Sequence, residues 1–197
     1  LRRPQALCIR AQFGCDYSAG FAKHDPAKAK RLLAEAGHGD GFDVKIVARA
    51  GQGKDIAEMM LGQLRAVGIR ASLELHTFAS YRKVQAAGKI NMLVSGWGGG
   101  GIADMASTLA FLFSPGSRDY HGNKDWLALA RRARGEMDDA KRRAMVKKLF
   151  DEVTEAAYIV PMVLIPRIWV HTKDFEMQAA ISPFFSYGGS MSFMRWK

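Results

Sequence analysis

The sequence predicts an α/β fold in which a mixed, partly parallel sheet is flanked by helices. Three observations carry this. Two stretches of apolar residues at helical spacing alternate with short β-prone runs between Asp25 and Leu75. Each helical stretch ends on a glycine, the usual stop signal. A further apolar run, Met92–Val94, supplies a third strand. Such alternation favours parallel pairing through right-handed crossovers.

Each element has a local reason. Residues 1–24 show no clean period and read as an irregular lead-in. Asp25-Pro26 is a carboxylate cap followed by proline at the first helical position. Ala29, Leu32, Leu33 and Ala36 then repeat on one helical face until Gly37. A turn through Gly39, Asp40 and Gly41 leads to a strand at 44–48. Ile56, Met59, Met60, Leu64 and Val67 mark a second helical face within a helix at 54–67, closed by Gly68. Residues 71–75 alternate apolar and polar, as a half-buried strand does. A shorter helix near 80–87 precedes a strand at 91–96.

Beyond Asp104 the pattern becomes mainly helical. A short helix at 105–113 is broken by Ser114-Pro115-Gly116, and longer ones follow near 125–134 and 138–156. The last carries Met145, Leu149, Val153 and Ala156 on one stripe. Residues 158–170 are β-prone, but Pro161 and Pro166 suit an edge or crossing strand better than a central one.

Composition narrows the function classes. At 197 residues with 48% apolar and 24% charged content, the chain has the material for a real core. No apolar run approaches the roughly 20 residues of a membrane span. The net charge of +10 concentrates in Arg131, Arg132 and Arg134 and in Lys141, Arg142, Arg143, Lys147 and Lys148. Both clusters lie on expected helices and read as solvated faces. No aromatic stacking platform or groove-reading motif accompanies them, so nucleic acid is not an expected partner. Cys8 and Cys15 either close a small disulfide loop, which requires an oxidising compartment, or stay unpaired near a terminus.

The stretch 91–104, NMLVSGWGGGGIAD, is the candidate site. Its apolar run delivers Ser95, Gly96 and Trp97 to a strand's C-terminal end, where open α/β sheets place ligands. Glycines 98–101 remove side-chain bulk beside the indole. Ser95, Trp97, Gly98, Gly99, Gly100, Asp104, Tyr120 and Asn123 are therefore the candidate ligand-binding residues. Each has a purely structural alternative: Trp97 as a core residue, Asp104 as a helix cap, Tyr120 and Asn123 as loop-ordering groups.

Several chemistries are excluded. Gly96, Gly98 and Gly101 satisfy GxGxxG, but Trp97 would obstruct a pyrophosphate and no second strand ending in an acid follows. No lysine follows the glycines as a phosphate loop needs, and Ser95 lacks the glycine context of a nucleophile elbow. His24, His38, His76, His121 and His171 are scattered without metal or catalytic spacing, and neither an enzyme nor a cofactor is expected.

Longer segments carry a resemblance. DPAKAKRLLAEAG, GFDVKIVAR and IAEMMLGQLRAVGIRASLEL resemble successive elements of the family 5 solute-binding proteins of bacterial ABC importers, the oligopeptide, dipeptide and nickel binders. SGW, YHGNKDWLALARRARGEMD and AAYIVPMVLI match later landmarks in the same order. The resemblance implies a periplasmic-binding-protein-like lobe of a two-lobed, exported, periplasmic protein that closes on its solute. Residues 25–157 would form the C-terminal lobe, and residues 158–197 would be strands crossing back toward an N-terminal lobe absent from this chain. The implied partners are a small solute and the membrane permease of the importer. Peptide-binding members resemble one another in an aspartate three residues after the tryptophan, where this chain has Gly100. The expected solute is therefore a peptide, a modified peptide, an opine-like or sugar-like molecule, or a chelated metal. The competing class is a free-standing nucleotide- or nucleic-acid-binding α/β domain.

Overall fold

Several helix starts in this chain are set by side chains that satisfy the first free backbone N–H groups. In the computed structural model, Asp25 accepts from the Lys28 N–H, Thr77 from Ser80, and Asp138 from Lys141. The structure describes residues 3–10, 12–15, 20–51, 53–88, 90–98, 102–116, 119–165, 170–176 and 195–197. Its elements are α1 (Pro26–Glu35), β1 (Asp43–Arg49), α2 (Lys54–Ala66), β2 (Arg70–His76), α3 (Phe78–Ala86), β3 (Met92–Val94), α4 (Ala106–Leu112), α5 (Lys124–Gly135), α6 (Asp139–Glu155), β4 (Phe175–Glu176) and β5 (Arg195–Trp196).

The chain divides into two units, Ala22–Gly96 and the pair of segments Leu1–Phe21 and Trp97–Lys197. The first is the expected βαβαβ layer. Its strands run in the order β2-β1-β3, and both pairings are parallel. Central β1 is buried continuously from Ile46 to Ala48, as a parallel strand covered on both faces must be. Across the β1–β2 pair, Lys45 meets Glu74 at 3.0 Å and Arg70 meets Asp43 at 2.8 Å. These pairs are exposed, and solvent screening leaves them contributing little.

Helix faces differ from the expected ones by a rotation. On α2 the packed residues are Ala57, Met60, Leu61 and Leu64, whereas Met59 is exposed. The spacing is still helical, but Leu61 displaces Met59 because the stripe was ambiguous by one step. None of the α1 stripe is buried, and Leu32 is exposed.

The turn into β1 requires glycine. Gly41 has φ +72°, and a Cβ there would collide with the Gly68 carbonyl. The backbone of the αβ turn thus passes directly against the α2–β2 turn. Gly41→Ala is expected to destabilise this unit by at least about 1 kcal/mol, because alanine can neither adopt the angle cheaply nor avoid the carbonyl. Urea denaturation compared with Gly39→Ala, whose Cβ would make only ordinary contacts, checks this.

The second unit is built on helices. Trp126, Leu129, Ala130 and Ala133 of α5 face Val146, Leu149, Phe150 and Val153 of α6. Both sets follow i, i+3, i+4, i+7, the arrangement that lets two helices bury one stripe each. Here too the α6 face turns slightly from expectation: Val146 and Phe150 are inside, and Ala156 is exposed. The lead-in has no helix or strand among its described residues, yet it is packed rather than loose. Ala6, Cys8 and Cys15 join the helical core, and a disulfide links Cys8 to Cys15 with Cα atoms 5.9 Å apart. A parallel bridge sets Phe13 beside Asp104.

The β-prone stretch after α6 forms no strand over 158–165 beyond a single bridged residue at Leu164, and 166–169 lie outside the described residues. Proline at 161 removes a ladder donor there. Val160, Leu164 and Ile165 are exposed. Near the C-terminus, β4 and β5 pair antiparallel, so the chain holds both kinds of pairing.

Candidate functional site

The residues singled out around 95–104 separate into two kinds, those held open and those consumed by structure. β3 ends at Val94, and Ser95 follows it exposed, at the end of the sheet unit. Trp97 begins the helical unit and is neither buried core nor free surface, at 36% exposure. Its ring stacks on Phe111 of α4 with centroids 4.1 Å apart and planes 12° from parallel. Its Nε1–H donates to Thr108 Oγ1 at 3.1 Å. An indole fixed both by a ring face and by its only polar atom has little rotamer freedom left. Gly98 is half-buried, and Gly99 and Gly100 lie outside the described residues.

Asp104 is consumed by structure. It caps α4 through the Ala106 N–H at 2.7 Å. Both of its oxygens accept from the Arg142 guanidinium of α6, one of them at 2.9 Å. Partial burial alone would raise this carboxyl; the Arg142 hydrogen bonds, the Ala106 N–H and the Arg142 charge outweigh it and hold the group below its ordinary value. Arg142 is thus no part of a solvated basic face, unlike exposed Arg131, Arg132 and Arg134. The Asp104 charge is matched inside the chain by Arg142.

Asn123 is also structural. Its Oδ1 accepts from the N–H groups of Asp125 and Trp126 and so caps α5. Tyr120 stays exposed at the start of the same loop. Between them His121 is the buried member, its side chain only 2% exposed. It sits among Phe113, Trp126 and Tyr158, with ring centroids 5.3–5.7 Å away. Its Nδ1 lies 2.9 Å from the Asn123 backbone nitrogen and 3.2 Å from an Asp119 carboxylate oxygen. Burial pushes the His121 imidazolium down, and the charge of Asp119 offsets this only in part. Burial likewise pushes the Tyr158 hydroxyl up to about 12, helped by Asp119 and Tyr120.

This loop predicts a pH dependence. The folded state holds His121 neutral below the pH at which the unfolded chain protonates it, so the unfolded state binds more protons there. Stability is complete above about 6.5, the ordinary imidazole value, and declines as pH falls below it. Thermal unfolding between pH 7.5 and 5 is expected to show that slope, and His121→Phe should flatten it. An equally steep slope in the variant would assign the effect to other groups.

Among the described residues no cluster of three or more histidines, cysteines or carboxylates could hold a metal. No described helix is long and apolar enough to cross a membrane. Sequence reasoning missed Gln12, Thr108, Phe111 and Arg142. Gln12 and Thr108 are isolated polar residues without a period, and Arg142 lies 38 residues from its partner, so no local signal marks them.

Residues 11–119 match the family described as bacterial extracellular solute-binding proteins, family 5 Middle. Di/tripeptide-binding protein 1 of Pseudomonas aeruginosa is 26% identical over 162 residues, 77% of this chain and 30% of that protein. Heme-binding protein A of Haemophilus influenzae is 34% identical over 82 residues, 39% of this chain and 15% of that protein. The dipeptide-binding protein of Pseudoalteromonas sp. SM9913, solved with Met-Leu, superposes with a TM-score of 0.79 at 19% identity. It covers 99% of this chain and 40% of its own. The chain spans less than half the length of each of these proteins. The match covers more than half of the 197 residues, so the chain belongs to family 5 of the bacterial extracellular solute-binding proteins.

Proposed function

We propose that this chain is part of the substrate-binding component of an ABC importer, taking a small solute into a cleft and delivering it to the membrane permease. Family membership supports the class, and the family is one of binding proteins, not enzymes. Its members are extracellular by description, and the chain's place is the periplasm. The internal disulfide suits that oxidising compartment.

The observation that carries the site is Trp97, anchored on one face and at its N–H while still 36% exposed. A fixed aromatic surface is a good wall for the apolar or planar part of a solute. In this reading Trp97, Gly98 and Tyr120 contribute to the solute-facing wall, and Ser95, Gly99 and Gly100 stay candidates on the sequence alone. Asp104 and Asn123 hold the backbone that presents it.

The charge balance of Asp104 bears on the solute. An ammonium buried without a carboxylate costs several kcal/mol even after relaxation. Arg142 already takes both oxygens of Asp104. A modified peptide or another solute without a free amino terminus therefore fits better than a free peptide. Named relatives bind di/tripeptides and heme, so the family's solutes are chemically broad. The test is mass spectrometry of whatever small molecule leaves the purified whole protein on mild denaturation. A solute lacking a free α-amino group is expected. A free dipeptide or tripeptide would overturn the finer reading, and a nucleotide would overturn the class.

A further inference from the structure

We propose that Gln12 is a positioning residue for Trp97, acting through Thr108; this rests on the reading of Trp97 as part of the solute-binding wall. Gln12 lies in a segment without helix or strand, and its side chain would be expected in solvent. It is instead 3% exposed. Every polar atom of its carboxamide is engaged. Oε1 accepts from the Thr108 hydroxyl at 2.9 Å and from the Ile9 N–H at 3.2 Å. Nε2 donates to Ser107 Oγ at 2.9 Å and to the carbonyls of Ile102 and Asp104 at 3.2 Å.

The orientation of this amide is decided by chemistry. The Ile9 N–H can only donate, and the Ile102 and Asp104 carbonyls can only accept. Turning the amide over would set donor against donor and acceptor against acceptor. With Oε1 fixed as the acceptor, the fully buried Thr108 hydroxyl must give its proton to Gln12. Its lone pair is then available to the indole N–H, which is a donor only. The relay runs one way, Trp97 to Thr108 to Gln12, and each link orders the next.

The same side chain also holds the chain just beyond the glycine run in sequence. The chain leaves this network at Trp97 and returns to it at Ile102 and Asp104, whose carbonyls Gln12 holds. Backbone bonds reinforce that end: the Phe13 N–H donates to Ala103 O at 2.8 Å and the Met105 N–H to Phe13 O at 3.2 Å. One buried glutamine thus couples the indole's setting to the backbone at Ile102 and Asp104. The aromatic wall is ordered during folding, and solute binding does not have to supply that ordering.

The test reads the indole itself and needs no solute. In the whole protein labelled with indole-¹⁵N tryptophan, Trp97→Phe identifies the Trp97 Nε1–H resonance. Thr108→Val should speed its exchange with water about tenfold or more, the scale of one lost hydrogen bond. Thr108→Ser should restore slow exchange. Gln12→Met, which does not touch the indole, should shift the same resonance and speed its exchange. The Trp126 indole, which donates to Glu152 at 3.0 Å, should stay unchanged as the internal control. A folded Gln12→Met protein with Trp97 exchange unaltered overturns the proposal. If that variant does not fold, equal exchange in Thr108→Val and Thr108→Ser overturns the relay. Failure here leaves the solute-binding reading standing, because that reading is decided separately by the released solute.

Discussion

Phe150→Ala is expected to destabilise the helical unit by about 3–5 kcal/mol, the range for removing a large aromatic from a close-packed core. Phe150 is fully buried on α6 beside Leu149 and Val153, and its ring lies 6.1 Å from that of Phe113. Its neighbours come from α5, α6 and the C-terminal end of α4, so no single element can shift to refill the space. The loss combines the transfer free energy of the ring with the cavity left behind. Urea denaturation followed by far-ultraviolet circular dichroism measures it. A loss under about 1 kcal/mol would mean that the site collapses freely and that the α5–α6 stripe does not carry the core.

Trp97→Ala should weaken binding of the released solute by about 1–3 kcal/mol, the scale of removing a large side chain's worth of apolar contact. Calorimetry on the whole protein measures it. The substitution leaves the Asp104–Arg142 pair and the α4 cap in place, because neither touches the indole. Stability should therefore fall much less than in Phe150→Ala. Trp97→Phe separates the two anchors: it keeps a ring to stack on Phe111 and loses the bond to Thr108. Unchanged affinity in Trp97→Ala would remove this residue from the solute wall.

The basic surface shows how far local reading reaches. Arg131, Arg132 and Arg134 are exposed, as the helical pattern implies. Arg142 has the same sequence context but is half-buried against Asp104, and its neighbour Arg143 lies over the Phe13 ring at 4.9 Å. A lysine- and arginine-rich helix face reads identically whether it meets water or a distant carboxylate. The difference is made by a contact across 38 residues.

The βαβαβ order, the parallel layer and the approximate extents of most helices are legible in the order of residues. Those features rest on neighbours within a few residues: the cap at Asp25, glycine stops, and apolar runs of strand length. The order of the longer motifs also made the family legible. The distant partners of the candidate residues emerge only from the packing. Asp104 and Asn123 are spent on helix ends and an ion pair, whereas Trp97 keeps an exposed surface on a fixed ring. The packing alone also drew the lead-in into the core, through a disulfide and one buried glutamine. The physical reason is range. Hydrogen bonds within a turn leave a pattern in adjacent letters, but a buried polar group is satisfied by whichever distant partner the packing brings to it.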